Sequence, residues 1–328
     1  MARRLHESLR QASHSRHRGG DPTNLSSKKS SALTGKTIAQ PAERERWLAL
    51  AAALITVSLW ASAFVGIRAA SQQLSPEALA LGRLTIASVV LGLLVLARRE
   101  PLPSRRDLPA IAFVGVFWFG LYNIALMEAE RRVDAGTAAM LVNVGPILVA
   151  VLAGVFLHEG FPPRLLAGCA IAFIGAIAIG AATSKNGFRP TWGLALCLAA
   201  ALFYATAVVA QKPLLVRVSA LQITWLASTF GALVCLPFAG VALRQLPHVH
   251  AYVIGWMAYL AIAPMAVGFL TWGYALSRTT AGRMGSTTYL VPPIAIVLSW
   301  LLLGETPPVL AVAGGVLCLA GVYIARRR

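Results

Sequence analysis

The chain is built from long apolar runs separated by short polar ones. Ten runs follow one another: Trp47 to Ile67, Ala78 to Ala97, Leu108 to Met127, Ala135 to Leu157, Leu165 to Thr183, Trp192 to Ala210, Ala220 to Leu243, Tyr252 to Leu276, Met284 to Leu303 and Val309 to Ala325. A helix crossing a bilayer needs roughly 20 apolar residues, and these runs are of that order. They are rich in Ala, Leu, Val and Gly and lack the alternating polar residues of a membrane β-barrel, so their backbone groups are satisfied most cheaply inside helices. The pattern predicts an all-α integral membrane protein with ten transmembrane helices.

Two stretches break the pattern. Residues 1–46 are rich in Ser, Arg, His and Gly with almost no aromatics, a composition that cannot offset its own ordering entropy. They are expected to form a disordered, basic cytoplasmic tail. Residues 184–191 carry Lys185-Asn186-Gly187 and Arg189-Pro190, a turn-prone linker. Five runs lie on each side of it, giving a first unit at 47–183 and a second at 192–328.

The two units repeat each other. At a shift of 146 residues Ala135-Gly136 maps to Ala281-Gly282, Pro146 to Pro292, Glu159 to Glu305, Pro162 to Pro308, Gly168 to Gly314 and Gly175 to Gly321. At a shift of 144, Trp60-Ala61 maps to Tyr204-Ala205, Ser62 to Thr206 and Arg68 to Lys212. A repeat with an odd number of crossings places its second copy upside down. Inverted repeats are a mark of secondary transporters, whose solute site lies near the midplane between the halves.

Composition agrees with lipid as the main solvent: 57% hydrophobic residues, 12% charged, mean hydropathy +0.69. A net charge of +17 and an isoelectric point near 10.8 raise nucleic acid as a partner, but the placement of the charge argues against it. Ten of the 29 Lys and Arg lie in the tail. With the N terminus in the cytoplasm, the remaining inside segments hold 12 and the outside loops 6. This is the cationic bias of cytoplasmic loops, so both termini are expected there, in a bacterial inner membrane. Cys169, Cys197, Cys235 and Cys318 all fall in apolar runs without ligand spacing and read as small packing residues.

The repeated residues resemble the drug/metabolite transporter superfamily, specifically its EamA-domain exporters. The likeness covers about residues 47–326. It is carried by Trp60-Ala-Ser-Ala-Phe64, by Pro76 with Arg83, by Asn123-Ile-Ala-Leu126, and by Ala135-Gly-Thr-Ala-Ala through Pro146 to Glu159. Ala281-Gly through Pro292 to Glu305 echoes the last of these. His158 stands where Gly usually precedes the Glu, and Asn143 where an apolar residue is more usual. The resemblance implies ten helices, cytoplasmic termini and export of amino acids or related metabolites.

Arg83 is the ionisable residue placed well inside an apolar run. A charge there costs several kcal/mol if unpaired. Its fork suits a substrate carboxylate; it could equally snorkel to the outer interface or hold backbone carbonyls. Trp60, Phe64, Tyr122, Asn123, Asn143, Tyr204, Trp272 and Tyr289 are the other candidates for lining a midplane site, as rings and amides that solvate a partly apolar metabolite. Asn123 and Asn143 need partners and so are expected to face the bundle interior.

Pro146 and Pro292, with Pro293, interrupt the fourth and ninth helices in matching places, freeing carbonyls and allowing a bend. Glu159 and Glu305 precede prolines at the next helix start, where the helix N terminus favours a carboxylate; a gating role is the alternative. None of the twelve acidic residues falls at a helix centre, and all six histidines are in the tail or loops. A midmembrane proton relay therefore has no support. No cofactor or metal is expected. The expected partners are a small-molecule solute and the lipid bilayer, with homodimerisation left open. A lipid-carrier flippase is the competing reading, with an intramembrane transferase further behind, since that chemistry needs acidic residues for a metal-bound pyrophosphate.

Overall fold

The computed structural model describes residues 43–133, 135–184, 192–304 and 306–327. Most of the expected tail and linker, and the expected gate residue Glu305, lie outside the described residues. Among the described residues all regular structure is helical. Nine helices are long and apolar enough to cross a membrane, or ten if one bent pair is a single span. They are α1 (Glu43–Ala70), α2 (Pro76–Arg98), α3 (Leu108–Ala129), α4 (Thr137–Phe156), α5 (Pro163–Ala182), α6 (Trp192–Leu214), α7 (Ala220–Val234 with Leu236–His248), α8 (Ala251–Arg278), α9 (Ala281–Leu302) and α10 (Val309–Arg326).

Helix starts follow local chemistry. α2 and α7 begin behind Ser75 and Ser219, whose hydroxyl oxygens accept the N–H of Ala78 at 3.3 Å and of Gln222 at 3.1 Å. Gln222 also reaches back to the Ser219 N–H and completes a capping box, and each such cap contributes about 1 kcal/mol. α1 starts at Glu43, ahead of the boundary expected at Trp47. Glu43 and Glu45 in its first turn meet the positive end of the helix dipole, which extends the helix into the polar segment.

Three departures from ideal helix were not foreseen. The run from Ala220 to Leu243 bends by 54° after Val234, because Pro237 lies in the 3-10 turn Leu236–Phe238 and lacks the N–H a continuous helix needs. α3 and α8 each contain a π-helical segment, Gly115–Leu121 and Ala261–Val267. These fall at the same 146-residue shift that relates the two sequence units. In α8 Pro264 accounts for the break in the ladder; in α3 the Asn123 side chain donates to the Phe119 carbonyl at 2.8 Å, an insertion of the kind that opens a helix.

The prolines of α4 and α9 act one turn upstream of themselves. α4 breaks at Asn143 and Val144, and Pro146 sits in the first turn of the segment Gly145–Phe156. In α9 a 3-10 turn covers Thr288–Leu290 before Val291–Leu303, which opens with Pro292 and Pro293. A proline is tolerated in a first turn but clashes with the carbonyl four residues earlier, so the break precedes it.

α10 is apolar on both faces, and residue size separates inside from outside. In α10 Ala311, Gly314, Gly315, Cys318, Val322 and Ala325 are buried, while Val309, Val312, Val316, Leu319 and Tyr323 are exposed. The small stripe meets that of α5. A Cβ on Gly168 would stand 2.5 Å from the Gly321 carbonyl oxygen, and one on Gly175 would stand 2.5 Å from that of Gly314. Numbers rise on one helix as they fall on the other, so the two run antiparallel. Cys318 lies in this seam, its sulfur 3.4 Å from the Ala172 carbonyl oxygen; all four cysteines are buried and none is in a disulfide.

The turn after α4 explains one sequence oddity. His158 has φ of 55°, and Gly304, 146 residues later, has φ of 68°. The left-handed region costs a residue with a Cβ roughly 1 kcal/mol and costs Gly nothing. His158→Gly is therefore expected to stabilise the fold by about 1 kcal/mol, seen as a raised melting temperature of the detergent-purified protein, whereas His158→Ala gives no such gain. His158 thus marks a strained turn, with backbone geometry as the reason Gly is favoured there.

Candidate functional site

The centre of the bundle is a packed aromatic cluster. Trp60 of α1 stacks on Trp272 of α8, centroids 5.1 Å apart and planes at 28°. Trp118 of α3 stands edge-on to Trp272 at 5.5 Å, to Tyr204 of α6 at 5.2 Å and to Phe269 at 4.9 Å. Indole N–H groups buried this way need acceptors. Trp272 donates to Gln211 Oε1 at 3.1 Å, and Trp60 donates to the Pro264 carbonyl at 3.2 Å. The second acceptor lies in the π segment of α8, as the Phe119 carbonyl held by Asn123 lies in that of α3. Both irregular turns are thus tied to side chains of the centre.

Arg83 of α2 donates through Nη2 to Asn123 Oδ1 of α3, and its buried Nε has no hydrogen-bond partner. It neither snorkels nor holds backbone carbonyls, two of the three roles weighed for it; an amide oxygen holds it inside the bundle. Asn123, next to Tyr122 in α3, donates in turn to the carbonyl of Phe119 at 2.8 Å, and the Phe119 ring lies 4.5 Å from that of Phe269, which links the guanidinium to the aromatic cluster. Arg83 is the eighth residue of α2, which at 1.5 Å per residue places it about 10 Å in from the helix start.

On the far side of Tyr204 the two broken helices meet. The ring of Tyr204 packs so closely on α4 that a Cβ on Gly145 would stand 2.7 Å from its Cδ1. Its buried hydroxyl makes no hydrogen bond of normal geometry, although Thr288 of α9 lies beside it. Ile147 and Leu148 both turn their N–H to the Val144 carbonyl, which leaves the Asn143 carbonyl for another donor. The Tyr289 hydroxyl takes it at 2.9 Å. Asn143 and Tyr289 are themselves 146 residues apart, so each sits at the break of its own helix. The Asn143 amide finds its partner locally, on the Ala139 carbonyl at 2.7 Å.

Of the residues singled out in the sequence, Trp60, Tyr204 and Trp272 share the cluster, Arg83, Asn123 and Tyr122 gather on one flank, and Asn143 and Tyr289 pair. Phe64 is 55% exposed, off the core stripe of Val57, Ala61 and Val65. Pro146 and Pro292 stand at the helix breaks. Glu159 was expected to favour the start of the next helix, α5. Its carboxylate instead accepts the N–H of Ala281 at 2.7 Å and of Gly282 at 3.1 Å, capping α9 in the other sequence unit. The positive φ values at His158 and Gly160 turn the chain back on itself there, so Glu159 joins the two units.

Several central residues escaped sequence reasoning. Trp118, Phe269 and Gln211 complete the cluster, and Ser88 of α2 pairs with Thr229 of α7 at 2.7 Å beside the buried, unpartnered hydroxyl of Ser228. Gln211 carried a readable signal, an amide at the end of an apolar run. A cavity of about 440 Å³ lies apart from this centre, lined by Ser62, Val65, Tyr252, Gly255, Trp256, Tyr259 and Leu302.

The described residues define an all-helical protein with nine or ten candidate membrane spans. Two copies of one family pattern, the EamA-like transporter family, match residues 47–181 and 191–327. The chain belongs to the EamA-like transporter family. It is 36% identical over 277 residues to a "Probable terminal-alkyne amino-acid exporter" of Streptantibioticus cattleyicolor, covering 84% of this chain and 93% of the relative. It is 25% identical over 281 residues to a "Probable amino-acid metabolite efflux pump" of Salmonella typhimurium, covering 83% and 92%. A solved crystal structure shares the fold at a TM-score of 0.72 and 20% identity, covering 84% of this chain and 98% of that one.

Proposed function

We propose that this chain exports amino acids or chemically similar metabolites across a bacterial inner membrane, by alternating access between two inverted five-helix units with both termini in the cytoplasm. The observation that carries the reading is Arg83, held inside the bundle by Asn123 with its Nε unpartnered and connected through Asn123 and Phe119 to a central aromatic cluster. A guanidinium there supplies a fork for a solute carboxylate, and the rings supply apolar surface for its side chain. The names of the two exporter relatives point to the same solute class.

One feature supports inversion, and three more support the duplication behind it. The glycine seam of α5 and α10 is self-complementary: Gly168 meets Gly321 and Gly175 meets Gly314, while sequence pairs Gly168 with Gly314 and Gly175 with Gly321. A two-fold relation produces that exchange. The Ser75 and Ser219 caps, the π segments and the positive-φ pair His158 and Gly304 recur at the repeat shifts. In this reading Pro146 and Pro292 place hinges at the solute, and Glu159 is a latch that closes one end when it caps α9.

Purified protein in liposomes loaded with single labelled amino acids tests the proposal: saturable efflux of at least one is the expected outcome, and no flux of any amino acid across the panel refutes it. The cavity at Ser62, Tyr252, Trp256 and Tyr259 favours the second reading, a lipid-carrier flippase. Flipping of a labelled lipid without amino-acid flux would select it.

A further inference from the structure

A second cavity, of about 270 Å³, lies at the end of the bundle where Glu159 caps α9. It is lined by Pro162, Pro163, Arg164, Leu165, Arg283, Ala325 and Arg327. Three of these seven are arginines, brought together from the start of α5, the first turn of α9 and the end of α10. They come from both sequence units. Three guanidinium groups around one small space concentrate positive charge there and so favour an anion as its occupant.

Among the described residues, no protein group supplies such an anion within the cavity lining. The lining holds no carboxylate, and both oxygens of Glu159 are engaged by the Ala281 and Gly282 N–H groups. Arg326, adjoining the cavity in sequence, is turned away to Thr287 Oγ1 at 2.9 Å. Arg327 rests over the Tyr323 ring, 4.4 Å from its centroid, which fixes its position without neutralising it. Arg164 is exposed and Arg283 half-buried, so their forks remain open to an oxyanion. The first turn of α5 adds backbone N–H groups with no partner inside the helix.

We infer that this cavity binds a phosphate group, that of an anionic phospholipid headgroup in the adjoining leaflet or of a soluble phosphate compound. Bidentate guanidinium groups match phosphate geometry, and basic pockets between helices at a cytoplasmic surface suit lipid headgroups. Because α5 and α9 belong to different sequence units, an occupant bridges them beside the Glu159 contact and strengthens the closed state of that end. The site is separate from the Arg83 centre and stands whether or not the solute is an amino acid.

The test compares full-length protein in neutral detergent, doped with phosphatidylglycerol, with phosphatidylcholine or with inorganic phosphate, by melting temperature and by native mass spectrometry of bound lipid. Phosphatidylglycerol is expected to raise the melting temperature and remain bound, and phosphatidylcholine is not. In Arg164→Gln/Arg283→Gln retention falls by about 30-fold, roughly fivefold per arginine, whereas Arg105→Gln/Arg106→Gln, which removes equal charge from another loop, retains it. An equal, arginine-dependent shift with inorganic phosphate assigns the site to a soluble phosphate compound. Equal retention by Arg164→Gln/Arg283→Gln and wild type overturns the inference; should the double variant fail to fold, either single variant carries the same comparison.

Discussion

Arg83→Ala is expected to abolish transport while leaving folded protein in the membrane. The side chain meets its partner Asn123 at one nitrogen only, and Asn123 keeps its own bond to the Phe119 carbonyl when the arginine is gone. Removing the guanidinium therefore strands one amide oxygen, a cost of about 1–3 kcal/mol that a many-helix bundle tolerates. It also removes the charge beside Tyr122 and the aromatic cluster. A lost charge-assisted hydrogen bond to solute amounts to roughly 3 kcal/mol, or about 100-fold in flux at limiting solute. Arg83→Lys keeps the charge without the fork and is expected to fall between. Initial rates in proteoliposomes, normalised to folded protein, check the series, and normal flux in Arg83→Ala removes the substrate-binding role.

The second large effect is structural. A Cβ on Gly321 would lie 2.4 Å from the Ala172 nitrogen, and one on Gly168 would lie 2.4 Å from that of Ala325. Both neighbours are backbone, so α5 and α10 must separate to admit even alanine. Gly321→Leu is expected to destabilise the protein by about 3 kcal/mol or more and to lower the yield of monodisperse protein sharply. Gly240 and Gly255 have open space around them, so Gly255→Ala serves as the neutral comparison. In a membrane, helix association depends on such close van der Waals contact rather than on the hydrophobic effect, which is why one methyl group in this seam is felt so strongly.

Much of the helical architecture was legible because a bilayer imposes one strong rule: each crossing is a long apolar helix. Run length alone marks the helices, and the recurrent Gly, Pro and Glu positions show the duplication. What pattern could not show were the interruptions. Hydropathy is blind to the π turns of α3 and α8, since no residue there is polar enough to stand out, and the bend at Cys235 depends on a single Pro237. Glu159 illustrates a subtler limit: sequence places it before α5, yet a turn with two positive φ values carries it to α9. The centre was half legible. Trp60, Tyr204 and Trp272 drew attention as aromatics with a polar handle, but Trp118 and Phe269 join them only because four helices converge, a long-range fact that no local spacing encodes.

If the units are antiparallel, the start of α1 and the start of α6 lie on opposite faces of the bilayer. Single cysteines replacing Trp47 and Trp192, in a chain whose four buried native cysteines are changed to Ala, report this through a membrane-impermeant maleimide on intact cells. Labelling at position 192 alone, with position 47 reacting only after lysis, is the expected result. Labelling of both positions from the same side contradicts the inverted arrangement and the alternating-access mechanism built on it.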